Sequence, residues 1–251
     1  MISLNSLGSL VSILKNSDPQ TAKTLIKLLS VDVIKSLGND KYILQTQDKT
    51  LTAQSQKQLQ VGEKYFARYN SSLKGDIPTL SHLLKVPKLF SQLKELHTTP
   101  LLYNERTFKE LLLTKNPIQN FKETLLETMT KSNTKEQFQT ISLLLLSLNQ
   151  NILTLPFIFY HSLGFLQIKK RYNKKEKKAF LDFYAFFEHL GAVSGVISQE
   201  NIRINVAYEE IMEFLEQHTD EISYPVTLNL ITPISPLYDI STNNSLLDIK
   251  T

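Results

Sequence analysis

The hydrophobic period changes several times along the chain, and each change predicts a different kind of element. In the first thirty residues, Leu10 and Leu14 keep the spacing of one helical face. Asp18 followed by Pro19 has the pattern of a helix N-cap with proline at the first helical position. We therefore expect short helices over residues 1–30.

Residues 31–72 have the composition of a small β-unit. Short runs rich in β-branched and aromatic residues occur at Val31–Ile34, Tyr42–Thr46 and Tyr65–Tyr69. Turn-forming residues, such as Gly-Asn-Asp at 38–40, separate them. This pattern predicts four or five strands that close into a barrel-like unit.

Residues 76–150 return to the helical period. Apolar residues recur there at intervals of three and four, and prolines divide the region into four helices of modest length. Asn133, with Glu136 three residues later, is a candidate cap for the last helix. We expect this middle part of the chain to be helical.

Residues 152–251 alternate apolar and polar positions, which is typical of strands. Ile202, Ile204 and Val206 alternate strictly with polar residues. One helix is predicted near residues 208–219, with an apolar stripe and a first turn rich in Glu. The expected fold class is α+β: a helical and barrel-like N-terminal part, a helical middle, and a C-terminal mixed sheet with one packed helix.

An uncharged stretch from Gln137 through Ile168 is long enough to span a bilayer on paper. Three consecutive amides at residues 149–151 and then Pro156 interrupt it, and burying amides in hydrocarbon is costly. We interpret it as a buried helix followed by a buried strand. The N-terminus also lacks the basic start and cleavage site of a secretory signal, so export by the general secretory route is not expected.

No residue pattern in the chain indicates catalysis. The sequence has no Cys, which excludes disulfides and thiolate metal sites, and its five His residues show no metal-binding spacing. Neither a P-loop, a GxSxG nor a GxGxxG motif is present. Glu209 and Glu210 are adjacent on a helix and so do not share a site. We expect a protein that is not an enzyme and needs no cofactor or metal.

Positive charge is concentrated in one segment. The formal net charge is +4, and residues 169–178 contribute seven basic residues and one Glu, a net of +6, so the rest of the chain sums to 4 − 6 = −2. The basic residues are Lys169, Lys170, Arg171, Lys174, Lys175, Lys177 and Lys178. Lying between two predicted strands, they indicate a protruding hairpin. Its charge could guard a sheet edge, guide an acidic protein partner or contact nucleic acid.

A second candidate protein-binding segment joins two later strands. Leu190, Gly191 and Val193 could form an apolar partner surface. Alternatively, Gly191 supplies a backbone conformation that a turn or bulge requires.

The order of elements over residues 135–251 resembles the C-terminal domain of the flagellar hook-length control family. That order is a leucine-rich helix, an apolar strand starting at Pro156, the sequence GFLQIKK at 164–170, the lysine-rich gap, a strand at 180–187, Leu-Gly-Ala-Val at 190–193, a strand at 202–206 and an acidic helix. The ending LDIK at 247–250 is similar to the short Asp-containing ending of one variant of the family.

The resemblance implies a cytoplasmic protein that acts by contact with the flagellar type III export apparatus. Its C-terminal domain would bind the export-gate protein and switch the apparatus from hook-type to filament-type substrates. Typical members also have a long, low-complexity N-terminal half that measures the hook. Because residues 1–150 have the pattern of folded elements, we expect a paralogue without that ruler.

Two other functions remain open from the sequence. The unit at 31–70 could be an oligonucleotide-binding barrel, although its acidic and basic residues are interspersed and predict no positive face. The protein could also be a membrane-peripheral scaffold. We expect neither nucleic-acid binding nor a membrane span.

Overall fold

A computed structural model describes residues 28–46, 49–70, 77–159, 162–175, 177–188, 190–219 and 224–239. It confirms an α+β fold with a closed five-stranded barrel and a mixed six-stranded C-terminal sheet. The helices expected over residues 1–27 lie outside the described residues. Residues 28–30, which we predicted to be helical, instead belong to the first strand of the barrel.

The barrel is closed by five strands in the order β1-β2-β3-β5-β4. Their bounds are β1 Leu28–Gly38, β2 Lys41–Gln45, β3 Thr50–Ser55, β4 Lys64–Asn70 and β5 Thr79–Lys85. Buried residues alternate along β2, as expected for a strand with one face toward a core. Asn39 and Asp40 join β1 to β2 with φ values of 49° and 55°, so both central residues of this two-residue turn are left-handed.

The last strand of the barrel corrects the predicted boundary at residues 72–76. Residues 79–85, which we placed in the helical region, form β5, parallel to β3 and antiparallel to β4. The pairing with β3 joins residues 25 positions apart, Gln54 to Thr79 and Ser55 to Leu80, so the local period does not reveal it. A register shift within β5 places His82 at a φ of 51°.

Four helices and one 3₁₀ turn lie between the barrel and the sheet. Their bounds are α1 Lys88–Gln92, the 3₁₀ turn Leu93–Leu96, α2 Glu105–Leu113, α3 Pro117–Thr130 and α4 Lys135–Asn149. The cap of α4 is Thr134, whose hydroxyl accepts from the Gln137 backbone, and not Asn133 as predicted. A Thr hydroxyl at this position satisfies an N–H that the helix itself leaves unpaired.

The C-terminal sheet has the order β11-β10-β9-β8-β7-β6. Its elements are β6 Leu153–Phe159, β7 Ser162–Asn173, β8 Lys178–Phe187, β9 Gly191–Ile197, β10 Ile202–Val206, α5 Glu209–Glu216 and β11 Val226–Leu230. Neighbouring strands from β6 to β10 are antiparallel, and β11 is parallel to β10. The uncharged stretch is therefore a helix, α4, followed by strands. No helix in the described ranges is long and apolar enough to cross a membrane.

Both faces of the sheet are covered near its centre. One continuous apolar core joins the helices to the sheet, and α5 adds Ile211, Phe214 and Leu215 as its apolar stripe predicts. Tyr184 shares a strand face with polar residues, yet it is almost fully buried. Beside it, Gln167 exchanges two hydrogen bonds with the Tyr238 backbone, at 3.0 and 3.2 Å. The segment after β11 therefore covers the second face.

A basic hairpin as the candidate protein-binding site

The lysine-rich segment forms the end of the β7–β8 hairpin, as the sequence predicts. The ladder runs out to the Asn173–Lys178 pair, and Lys174, Lys175 and Lys177 lie in the turn. Asn173 stabilises the turn by accepting a 3.0 Å hydrogen bond from the Lys175 backbone through its side chain. Residues 164–168 of β7 are buried and residues 169–172 are exposed, so the hairpin leaves the core at Lys169.

Two of the seven basic residues have structural partners. Arg171 forms a bidentate pair with Asp182, with Nε and Nη2 at 2.8 and 2.9 Å from the carboxylate oxygens. Its guanidinium also lies 5.1 Å from the ring centre of Phe180, directly across the ladder. Lys178 is 2.6 Å from the Glu200 carboxylate. We infer that these two cations hold the hairpin in shape.

The other five cations are exposed, and none forms an ion pair with a described residue: Lys169, Lys170, Lys174, Lys175 and Lys177. Tyr172 lies among them with 57% of its surface exposed. A cluster of unpaired charges on a projecting tip produces a local positive potential. The tip can therefore attract an anionic surface.

The other predicted binding segment is not an accessible surface. Leu190, Gly191 and Val193 are all buried, and Leu190 and Val193 belong to the main apolar core. Gly191 has a φ of +72°, and a Cβ at this position would lie 3.0 Å from the Leu84 side chain. The conformational interpretation of Gly191 therefore holds, because the site combines a left-handed backbone with close contact to the barrel.

The acidic helix α5 contains an ion pair that the sequence pattern did not indicate. Glu210 pairs with Arg68 of β4, so α5 is tied to the barrel. Its second carboxylate oxygen, Oε2, is buried without a hydrogen-bond partner in the described structure. Glu209, Glu213 and Glu216 are exposed. The two adjacent carboxylates therefore have different surroundings, as expected from their positions on a helix.

A cavity of about 400 Å³ lies between the barrel, the sheet and the segment after β11. Tyr65, Tyr184 and Tyr208 line it together with aliphatic side chains. Burial raises the pKa of the Tyr184 and Tyr208 hydroxyls, so both stay neutral at physiological pH. No local sequence pattern indicates this cavity, because its lining comes from several separate segments. Lys85 and Lys88, also in its wall, both approach Glu63, at 3.2 and 3.8 Å.

The described residues contain no group of His, Asp and Glu side chains arranged to hold a metal ion. Comparisons with protein-family models, curated proteins and solved structures find no match for this chain.

Proposed function

We propose that this protein is a flagellar assembly protein of the hook-length control type that acts by contact with the type III export apparatus. The proposal rests on the order of elements over residues 135–239 and on the basic hairpin in the middle of that order. The partner would be the cytoplasmic part of the export-gate protein. Contact with it would switch the class of exported substrate.

The observation that carries the proposal is the set of five exposed lysines along the outer part of the hairpin, none of which forms an ion pair with a described residue. Exposed charges are screened over about 8 Å at physiological salt, so they act mainly on the encounter of two proteins. Arg171 and Lys178 pair with Asp182 and Glu200 in the strands and loop next to the turn. An exposed, positively charged projection is suited to guiding the molecule to an acidic patch.

The test measures association of the full chain with the purified cytoplasmic part of the export-gate protein. The full chain is needed because the apolar core continues from the helices into the sheet. In the test variant, Lys174, Lys175 and Lys177 are changed to Glu. We expect association to slow several-fold at low salt, with a smaller effect at high salt, and the fold to remain intact.

The matched control changes Lys94, Lys115 and Lys122 to Glu. These residues are exposed on or beside the helices and form no ion pair with a described residue, so the variant has the same net charge as the test variant. Equal slowing in both variants would show that only total charge matters. Absence of binding by the unaltered chain would refute the proposed partner.

Nucleic-acid binding is the second candidate, because a closed five-stranded barrel is also the architecture of oligonucleotide-binding folds. The outward positions of β2 and β3 provide little for bases or phosphates. They are Lys41, Ile43, Gln45, Thr50, Thr52 and Gln54, with one cation and no aromatic ring. We expect no micromolar binding of a single-stranded oligonucleotide at physiological salt. Fluorescence anisotropy with a labelled oligonucleotide would test this, and binding that weakens steeply with salt would favour the second candidate.

A further inference from the structure

The outer part of the β7–β8 hairpin, residues 169–182, carries two aromatic rings whose surroundings differ. Side chains alternate between the two faces of a strand, so Arg171 and Phe180, which lie opposite each other in the ladder, share one face. Tyr172 and Ala179 form the next pair and share the other face. The Arg171 guanidinium lies over the Phe180 ring, 5.1 Å from its centre. Ala179 has only a methyl group and cannot cover the Tyr172 ring in the same way.

The Tyr172 ring is open to solvent. It exposes 57% of its surface, the largest fraction for any aromatic residue that the structure describes. Lys170 lies on the same face two positions earlier, whereas Asp182 lies opposite Lys169 on the face of Arg171. The Tyr172 face therefore combines an uncovered ring with positive charge, and no carboxylate of the described outer hairpin lies on it.

We propose that Tyr172 anchors the contact between the hairpin and its protein partner. Tyrosine is enriched at protein interfaces because its ring is apolar while its hydroxyl can still find a hydrogen-bond partner. The ring enters an apolar recess that is bordered by carboxylates, which face the lysines around Tyr172. This role rests on the proposed function, and it defines the chemistry of the surface that the partner presents.

The lysines and the ring act on different steps of binding. Exposed charges are screened over about 8 Å at physiological salt and mainly speed the encounter of the two proteins. Burial of a ring is not screened by salt, and the loss of such an anchor mainly raises the dissociation rate. The salt dependence of the two rate constants therefore separates the two contributions.

A protein surface fits this arrangement better than a lipid surface. Residues 169–178 contain one aromatic residue and no Leu, Ile, Val, Met or Phe, so the hairpin has little apolar surface to insert between lipids. Lipid binding would depend on the basic residues and hardly on Tyr172. A recess in a protein can enclose a single ring on all sides, and such enclosed rings dominate the binding energy of many interfaces.

The test measures binding kinetics of the full chain on the immobilised cytoplasmic part of the export-gate protein, by surface plasmon resonance. Tyr172→Ala should raise the dissociation rate constant about ten- to thirty-fold and change the association rate constant by less than about twofold. The rise in dissociation should persist at high salt. An unchanged dissociation rate in Tyr172→Ala would overturn the inference and leave the proposed function intact.

Two further variants serve as controls. Tyr172→Phe keeps the ring, so its dissociation should stay within about threefold of that of the unaltered chain. Phe138→Ala removes a similarly exposed ring, 49% exposed, from α4 outside the hairpin and should leave dissociation unchanged. Acceleration in Phe138→Ala equal to that in Tyr172→Ala would overturn the assignment of the anchor to the hairpin.

Two other outcomes would also overturn the inference. If the unaltered chain does not bind the export-gate protein, both the anchor and the proposed function fail. Co-sedimentation with vesicles containing an anionic phospholipid provides the second arm. Vesicle binding that the Tyr172→Ala change abolishes would assign the ring to a lipid surface instead.

Discussion

The Tyr208 hydroxyl donates a 3.0 Å hydrogen bond to the backbone carbonyl of His82. Tyr208 follows β10 of the sheet, and His82 is the left-handed residue at the register shift in β5 of the barrel. His82, the irregular residue of β5, therefore accepts a hydrogen bond from a side chain that lies just after β10. Beside this contact, the rings of Phe66 and Phe186 stack at 5.6 Å between their centres. The barrel is thus fixed to the sheet by polar and aromatic contacts together.

Replacing Tyr208 by Phe should lower the free energy of unfolding by about 0.5–1.5 kcal/mol, the net value of one hydrogen bond. The ring stays in place, so the change isolates the hydroxyl. Urea unfolding followed by circular dichroism measures the difference. Tyr172→Phe is the control, because Tyr172 is exposed and its variant should match the unaltered protein. Equal stability of both variants would show that the Tyr208–His82 bond contributes nothing.

Replacing Gly195 by Ala should destabilise the sheet by at least about 3 kcal/mol, at or beyond the upper end of ordinary overpacking. A Cβ there would lie 2.1 Å from the Arg203 carbonyl oxygen and 2.6 Å from the Phe183 ring. One of these atoms belongs to the backbone of the neighbouring strand, so the strands themselves must separate. Urea unfolding followed by circular dichroism measures this loss.

Gly38→Ala separates steric crowding from backbone strain. Gly38 has a φ of +83°, but no heavy atom lies within 4 Å of its added Cβ. Its substitution should cost only the strain of a left-handed residue, about 1–2 kcal/mol. If Gly38→Ala lowers the free energy of unfolding more than Gly195→Ala does, crowding at Gly195 is not the dominant effect.

Replacing Phe214 by Ala should cost about 3–5 kcal/mol, as for a large core side chain. Phe214 is 5% exposed and packs α5 on the sheet with Ile211 and Leu215. Glu213→Ala is the neighbouring control, and this exposed position should change stability by less than about 0.5 kcal/mol. A loss at Phe214 no larger than that at Glu213 would mean that α5 is not anchored by its apolar face.

Stability should fall as the pH rises above about 10, the ordinary pKa of tyrosine. Burial raises the pKa of Tyr103 to about 12, so folding favours the neutral hydroxyl. This contribution is fully present below the unfolded pKa and is lost as the pH rises toward 12. Burial also raises the pKa of Tyr184 and Tyr208, in the same direction.

Absorbance at the tyrosinate band during a pH titration provides the measurement. Part of the tyrosine signal should titrate late in the folded protein and near pH 10 in urea. Tyr103→Phe should lose less stability between neutral and alkaline pH than the unaltered chain. Simultaneous titration of all tyrosines in the folded state would contradict the predicted shifts.

Local pattern predicted the elements whose contacts are close in sequence. The stripe of Ile211, Phe214 and Leu215 gave the position and buried face of α5. Alternation around the lysine-rich segment predicted the β7–β8 hairpin, which pairs residues near in sequence. In these elements the side chains that face the core also set the period of the sequence.

Other features depend on residues that are distant in sequence, and only the tertiary structure decided them. Residues 79–85 form a strand because they close the barrel between β4 and the more distant β3, and this tertiary pairing outweighs their local period. Likewise, Arg171 pairs with Asp182 on the facing strand and Lys178 pairs with Glu200 in a nearby loop. The composition of the segment could not show these ion pairs.

The sequence by itself determined the α+β composition, the position of α5, the barrel-like unit and the place where positive charge concentrates. The tertiary structure decided that Leu190 and Val193 are buried, that five of the seven hairpin cations form no ion pair with a described residue, and that β11 follows β10 in the sheet order. The physical reason is that period and charge are properties of neighbouring residues. Burial, ion pairing and strand order depend on which distant segments meet, and the free energy of those contacts is not encoded in any single stretch.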